Sequence, residues 1–237
     1  MITIGQIPKK LQHFFRPVKK QVSGHVYDYF WSFVLAMGVS RGSTIDRLVK
    51  LLRNSPHRTN HGEFLWRSNW GEPAVLQQIA LDLLRSLFHK KDHTLFFIID
   101  GTQTLKRAKK MDAVRKLFHH AAGKYSTGHT IVKVCLYYRG VTIPWASLLY
   151  VKKEHAAPLG IDFCKLTQLA GQVIRQAILP DHFKVTVLFD AFYLCPDVVN
   201  ACKERKWHYI SVGAPNRCFQ VQSQSYKLGK YGRNVLN

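Results

Sequence analysis

Apolar residues recur along this chain in two rhythms, and the change falls near residue 94. Before it the spacing is helical. Val26 to Val39 is rich in aromatic and aliphatic side chains, and Ser43–Arg53 reads as an amphipathic helix. Ser43 with Asp46 has the S-x-x-D form of a capping box, which satisfies orphan N–H groups of a first turn. Ile45, Leu48, Val49 and Leu52 fall at i, i+3, i+4 and i+7, a core-facing stripe that leaves Arg47, Lys50 and Arg53 outside it. A further helix is predicted over Glu72–Leu87, opening beside Pro73, with Val75, Ile79, Leu83 and Leu87 on one side. Residues 1–93 thus read as a helical region, with a boundary at the basic stretch 90–93 that rests on composition alone.

From Thr94 the pattern turns to short apolar runs. Residues 95–100 (LFFIID) suit a fully buried strand that ends in Asp, with Gly101 next. Residues 106–125 are basic and helix-compatible. Residues 129–140 and 141–151 read as two long strands meeting at Arg139-Gly140 in a hairpin. An amphipathic helix over 163–179 is stopped by Pro180, and 185–190 (VTVLFD) is a second buried strand ending in Asp. A helix over 196–206, with Pro196 in its first turn, and a strand over 207–213 follow. The order predicts a mixed α/β sheet flanked by helices, with a helical region before it.

Charge narrows the partners. Among 237 residues, 35 Lys and Arg face 14 Asp and Glu, a formal charge of +21. Such self-repulsion is usually offset by a polyanion, which makes nucleic acid the leading candidate and an acidic membrane surface the rival. The cations are spread over both halves, which favours a long nucleic-acid-facing surface over a basic tail. The five cysteines (Cys135, Cys164, Cys195, Cys202, Cys218) form no CxxC pair and read as reduced thiols, mostly small core residues; Cys195, Cys202 and His208 match no common zinc spacing. No apolar run approaches the ~18 residues of a membrane span, so a soluble protein inside the cell is expected. P-loop, GxGxxG, GxSxG and HExxH patterns do not occur.

Asp100 and Asp190 carry the chemistry. A carboxylate directly after an apolar strand is costly to desolvate unless it is capped, paired or bound to a cation. Two of them converging at one sheet edge could hold Mg²⁺ or Mn²⁺, and a pair of such ions suits phosphodiester cleavage. The plainer alternative is that each aspartate caps the next turn, as Asp100-Gly101-Thr102 would.

The strand–hairpin–helix–strand–helix–strand order, with IIDGT at 98–102, Gly128-His129, VLFDAFYLCPDVV at 187–199 and HYISVGAPNR at 208–217, resembles the RNase H-like catalytic domain of DDE transposases of the bacterial insertion-sequence type. RGSTIDRLVKLL at 41–52 and FLWRSNW at 64–70 look like the helical region preceding that domain. The resemblance implies DNA transposition by metal-dependent phosphodiester cleavage and strand transfer, in a cytoplasmic, nucleoid-associated location. Asp100 and Asp190 would be catalytic, metal-holding carboxylates, two Mg²⁺ or Mn²⁺ the cofactors, and double-stranded DNA at transposon ends the partner. The family's third carboxylate, a Glu on a helix after the last strand, has no counterpart. After Asp190 only Asp197 and Glu204 are acidic, and both belong to the preceding helix region. A C-terminally truncated form of the 94–237 domain, lacking that last helix, is therefore expected. The alternative is a non-catalytic DNA-binding derivative acting as repressor or inhibitor, alone, self-associated or paired with full-length transposase.

Candidate DNA contacts are Lys106, Arg107, Lys109 and Lys110 after the first Asp, His129 at a strand start, and Asn216 and Arg217 after the last strand. Arg47, Lys50 and Arg53 join them if the helix over 44–53 reads DNA. Trp66 and Trp70 are expected to pack in the core or between domains.

Overall fold

A computed structural model describes residues 8–20, 22–40, 44–52, 56–68, 71–106, 111–119, 122–221 and 223–235. It divides into two compact units, Met1–Leu83 and Leu84–Asn237.

The first unit is helical, as its period predicts: α1 (Lys9–Phe14), α2 (Arg16–Lys19), α3 (Gly24–Val39), α4 (Ile45–Val49), α5 (Arg58–Arg67) and the greater part of α6 (Glu72–Leu87). Its core joins Val18, Phe30, Phe33, Ala36, Leu48, Phe64 and Val75. The ring of Phe15 meets Phe30 edge-on, and Phe33 stacks with Phe64, so aromatic packing closes this small unit. The helix expected over Ser43–Arg53 is only the five residues of α4. Its cap is Thr44, whose Oγ1 accepts from the Arg47 N–H at 3.4 Å, and Ser43 lies outside the described residues. Trp66 is 72% exposed, with Arg67 stacked over its ring, so the expected core role is wrong. An indole on a helix of mean polar character gains a cationic neighbour instead of a core. Trp70 lies outside the described residues.

The second unit is built on a sheet of β1 (Thr94–Leu105), β2 (Arg115–His119), β3 (Lys124–Tyr138), β4 (Val141–Tyr150), β5 (Lys184–Phe189) and β6 (His208–Ser211). The order is β2-β3-β1-β5-β6, with β4 also on β3. β1 runs antiparallel to β3 and parallel to β5, and β5 parallel to β6. This is a mixed sheet flanked by helices, consistent with the RNase H-like expectation. The β3–β4 hairpin turns at Arg139 and Gly140, both at positive φ, as a tight two-residue turn requires.

Alternation fixes the buried face. Leu95, Phe97 and Ile99, Val132, Val134 and Leu136, and Val185, Val187 and Phe189 are all buried. Between the hairpin and β5 run α7 (Lys153–Ala156), a 3₁₀ turn and α8 (Leu166–Gln176); α9 (Pro196–Glu204) follows β5. Ala170, Val173 and Ile174 of α8 and Val198, Ala201 and Cys202 of α9 add buried apolar surface. The two helices approach closely at Gly171, where a Cβ would stand 2.7 Å from the Asp197 carbonyl oxygen.

One expected element of this unit fails. The helix expected over 106–125 is not found among the described residues: β2 pairs antiparallel with β3 over Arg115–His119, and Lys124 already belongs to β3. The basic run RKLFH alternates, with Leu117 buried between exposed Lys116 and Phe118, and the neighbouring strand decides its state. Beyond β6, a small hairpin of β7 (Cys218–Val221) and β8 (Gln224–Lys227) and the helix α10 (Leu228–Val235) form elements that the hydrophobic pattern did not announce.

Candidate active site

The parallel pairing of β1 with β5 ends at the pair Ile99–Phe189. Asp100 and Asp190 are the next residue on each strand, so the ladder itself sets the two carboxylates side by side. The two differ in context. Asp190 follows the end of β5, as expected, whereas Asp100 does not end its strand: β1 continues to Leu105, paired with β3 throughout. What ends at Asp100 is the parallel partner. From there β1 borders a cleft of about 620 Å³ lined by Asp100, Gln103, Arg115, His119, Asp190 and Tyr193, among others.

Backbone donors orient both acids. Asp100 Oδ1 accepts from the Gly101 N–H at 2.8 Å, just past the point where β5 stops. Asp190 Oδ1 accepts from the N–H groups of Phe192 at 3.1 Å and Tyr193 at 3.4 Å, closing a turn that carries Tyr193 back toward β1. Both acids are exposed, and neither forms an ion pair among the described residues. The turn-cap alternative therefore holds in part for Asp190, and leaves its second oxygen free of any protein donor among the described residues.

Tyr193 was missed in the sequence. Its side chain is buried, and burial, followed by the charges of Asp190 and Asp100, pushes its phenol up to about 12. The hydroxyl reaches β1 because position 101 has no side chain: a Cβ on Gly101 would stand 3.0 Å from Tyr193 Oη. The only hint in the sequence was Gly101 itself, directly after an apolar run.

A family model described as DDE superfamily endonuclease matches residues 35–235. The chain belongs to that family. No curated protein matches it.

The remaining candidates of this DDE endonuclease scatter. Arg217 reaches the site, with Nη2 donating to the Ala191 carbonyl at 3.3 Å, and Asn216 is exposed in the same turn. Lys106 is at the end of β1, where its N–H donates to Thr127 O and its carbonyl accepts from Thr127 Oγ1. His129 does not line the cleft; its Nε2 donates to the Asp112 carbonyl at 2.9 Å and fastens the turn before β2. In the first unit Arg47 is exposed and Lys50 is paired with Asp46 at 2.8 Å. Arg53, Arg107, Lys109 and Lys110 lie outside the described residues.

The two later acids are engaged elsewhere. Asp197 accepts from Thr167 Oγ1 at 2.8 Å, and Glu204 pairs with Arg175 at 2.6 Å, so both serve the α8–α9 contact. Among the described residues no group of three His, Cys, Asp or Glu side chains is placed to hold a metal ion. No helix of the described residues is long and apolar enough to cross a membrane.

Proposed function

We propose that this DDE endonuclease is a transposase acting on double-stranded DNA at transposon ends, with Asp100 and Asp190 as its catalytic carboxylates. The observation that carries the reading is their placement one step beyond the Ile99–Phe189 pair, at the mouth of a cleft, without a cationic partner among the described residues. Mg²⁺ fits this donor set. It takes hard oxygen ligands and is commonly held by one or two carboxylates with substrate phosphates completing the shell. Bound there, divalent cations supply Lewis-acid stabilisation of the phosphate and a more acidic attacking water or hydroxyl.

The chain's own groups do the positioning. The Phe192 and Tyr193 N–H groups fix one oxygen of Asp190 and leave the other for the cation. Tyr193 stays protonated well above neutral pH, so its hydroxyl offers a donor beside two acids and adds no third negative charge. Lys106, Asn216 and Arg217 would hold flanking phosphates. The helical region 1–93 supplies further DNA contacts, through Arg47 and Lys50 among others.

The test is Mn²⁺ binding by titration, alongside Mg²⁺-dependent nicking of DNA carrying the element's inverted repeats. Both should be lost in Asp100→Ala and Asp190→Ala. Nicking that persists in either variant refutes the assignment.

A second reading is favoured by one observation: Asp197 and Glu204 are committed to Thr167 and Arg175, away from the cleft. On that reading the chain binds transposon ends, alone or paired with a full-length transposase, and represses without cutting. Steeply salt-dependent binding with no strand cleavage at any Mg²⁺ concentration supports it, and nicking by this chain alone excludes it.

A further inference from the structure

The far wall of the cleft holds a cation that nothing so far uses. Arg115 and His119 lie on β2, two positions either side of Leu117, so all three share one face by alternation. Leu117 is buried and its exposed neighbours Lys116 and Phe118 look the other way, so Arg115 and His119 face inward, where both line the cleft with Asp100 and Asp190.

The Arg115 guanidinium is held in place but not neutralised. Its Nη2 donates to Thr130 Oγ1 at 2.5 Å, and its plane sits 4.7 Å from the centre of the Tyr150 ring. Neither partner carries a charge, and Arg115 forms no ion pair among the described residues. Its Nε and the Nδ1 of His119 are buried and make no hydrogen bond. Buried polar atoms are nearly always paired, so two orphans on one cleft wall point to a ligand that completes them. An arginine stacked on an aromatic ring, with neutral donors and acceptors around it, is a fork prepared for an oxyanion.

The geometry also says which oxyanion. Thr130 pairs with Gln103, three residues beyond Asp100 on β1, about 10 Å at the rise of a strand. A group at Arg115 is thus too far to be the phosphate between the two aspartates, and near enough to belong to the same strand.

We infer that Arg115, supported by His119, binds a non-scissile phosphate of the nucleic-acid strand whose reacting phosphate lies at Asp100 and Asp190. The inference rests on the cleft being the nuclease site proposed above. It adds a register contact that fixes where along the strand the cut falls.

Arg115→Gln and Lys116→Gln, each made in this whole chain, remove the same charge from adjacent residues on opposite faces of β2. DNA affinity is measured by fluorescence anisotropy over a salt series, with Mn²⁺ binding followed separately. Arg115→Gln should weaken binding at least about 5-fold more than Lys116→Gln and lower the salt slope by about one. Mn²⁺ binding should be retained. Equal losses in the two variants overturn the inference, because only net charge would then matter. A purely structural arginine would lower the melting temperature and leave affinity at the Lys116→Gln level. Should Arg115→Gln fail to fold, His119→Gln serves: it removes no bonded partner, and a loss of about 3-fold is expected, with unchanged affinity counting against the proposal. Absence of Mn²⁺ binding in the unmodified protein would instead refute the metal-site reading, whatever Arg115 does.

Discussion

Tyr193→Phe tests how burial, together with the two neighbouring aspartates, keeps this phenol neutral. The phenol is displaced from an ordinary value of 10 to about 12, first by burial and then by the charges of Asp190 and Asp100. Below pH 10 the folded and unfolded chains both carry a neutral phenol, and the contribution to stability is complete. Between 10 and 12 the unfolded chain ionises first, so stability falls as pH rises and the contribution is gone above 12. Each unit of displacement is worth about 1.4 kcal/mol, so two units give a loss of roughly 2–3 kcal/mol across that window. Urea unfolding at pH 8 and again near pH 11.5, on wild type and Tyr193→Phe, separates the Tyr193 contribution from that of the other tyrosines and lysines, which both proteins share. Wild type should lose more stability than the variant, by most of that figure. The same pH-dependent loss in both proteins refutes the idea that Tyr193 is held neutral by its setting.

Gly101→Ala should destabilise the second unit by about 1–3 kcal/mol, the usual result of forcing a methyl into a filled contact, read as a lowered urea midpoint; no change would mean that Tyr193 yields freely. Cys202 is fully buried and its thiol is pushed up to about 11 by burial, while Cys218 is exposed. Alkylation at pH 8 followed by mass mapping should therefore label Cys218 rapidly and Cys202 only on unfolding, and early labelling of Cys202 would contradict its placement. The Arg175–Glu204 pair is half exposed, so Glu204→Gln should lower the urea midpoint only slightly, and less still in high salt; a salt-insensitive loss would show that the contact acts through packing.

Much of the second unit was legible because its strands are fully buried. Runs such as LFFII and VTVLF can satisfy few other structures, and the Arg139-Gly140 turn is written in local sequence. The order of elements alone then brings Asp100 and Asp190 together. What escaped depended on neighbours. RKLFH becomes β2 only because β3 is long enough to pair with it, and so Arg115 and His119 were read as part of a basic helix. Tyr193 acquires its setting through a turn closed by Asp190, a relation between a side chain and the backbone that no period reveals. In the first unit the apolar stripe over 45–52 was real, but it continued past the point where α4 ends: Leu52 packs against the core from beyond the helix.

The end of parallel pairing after Ile99–Phe189 has a consequence for how this site tolerates change. Because the carboxylates are located by counting along two hydrogen-bonded strands, their alignment behaves like the teeth of a zip. Many substitutions along 94–99 or 184–189 can preserve the count while altering the packing. A single inserted or deleted residue in one of those segments cannot. It would shift one strand by a step, turn its side chains to the opposite face, and separate Asp100 from Asp190 with every individual residue still present.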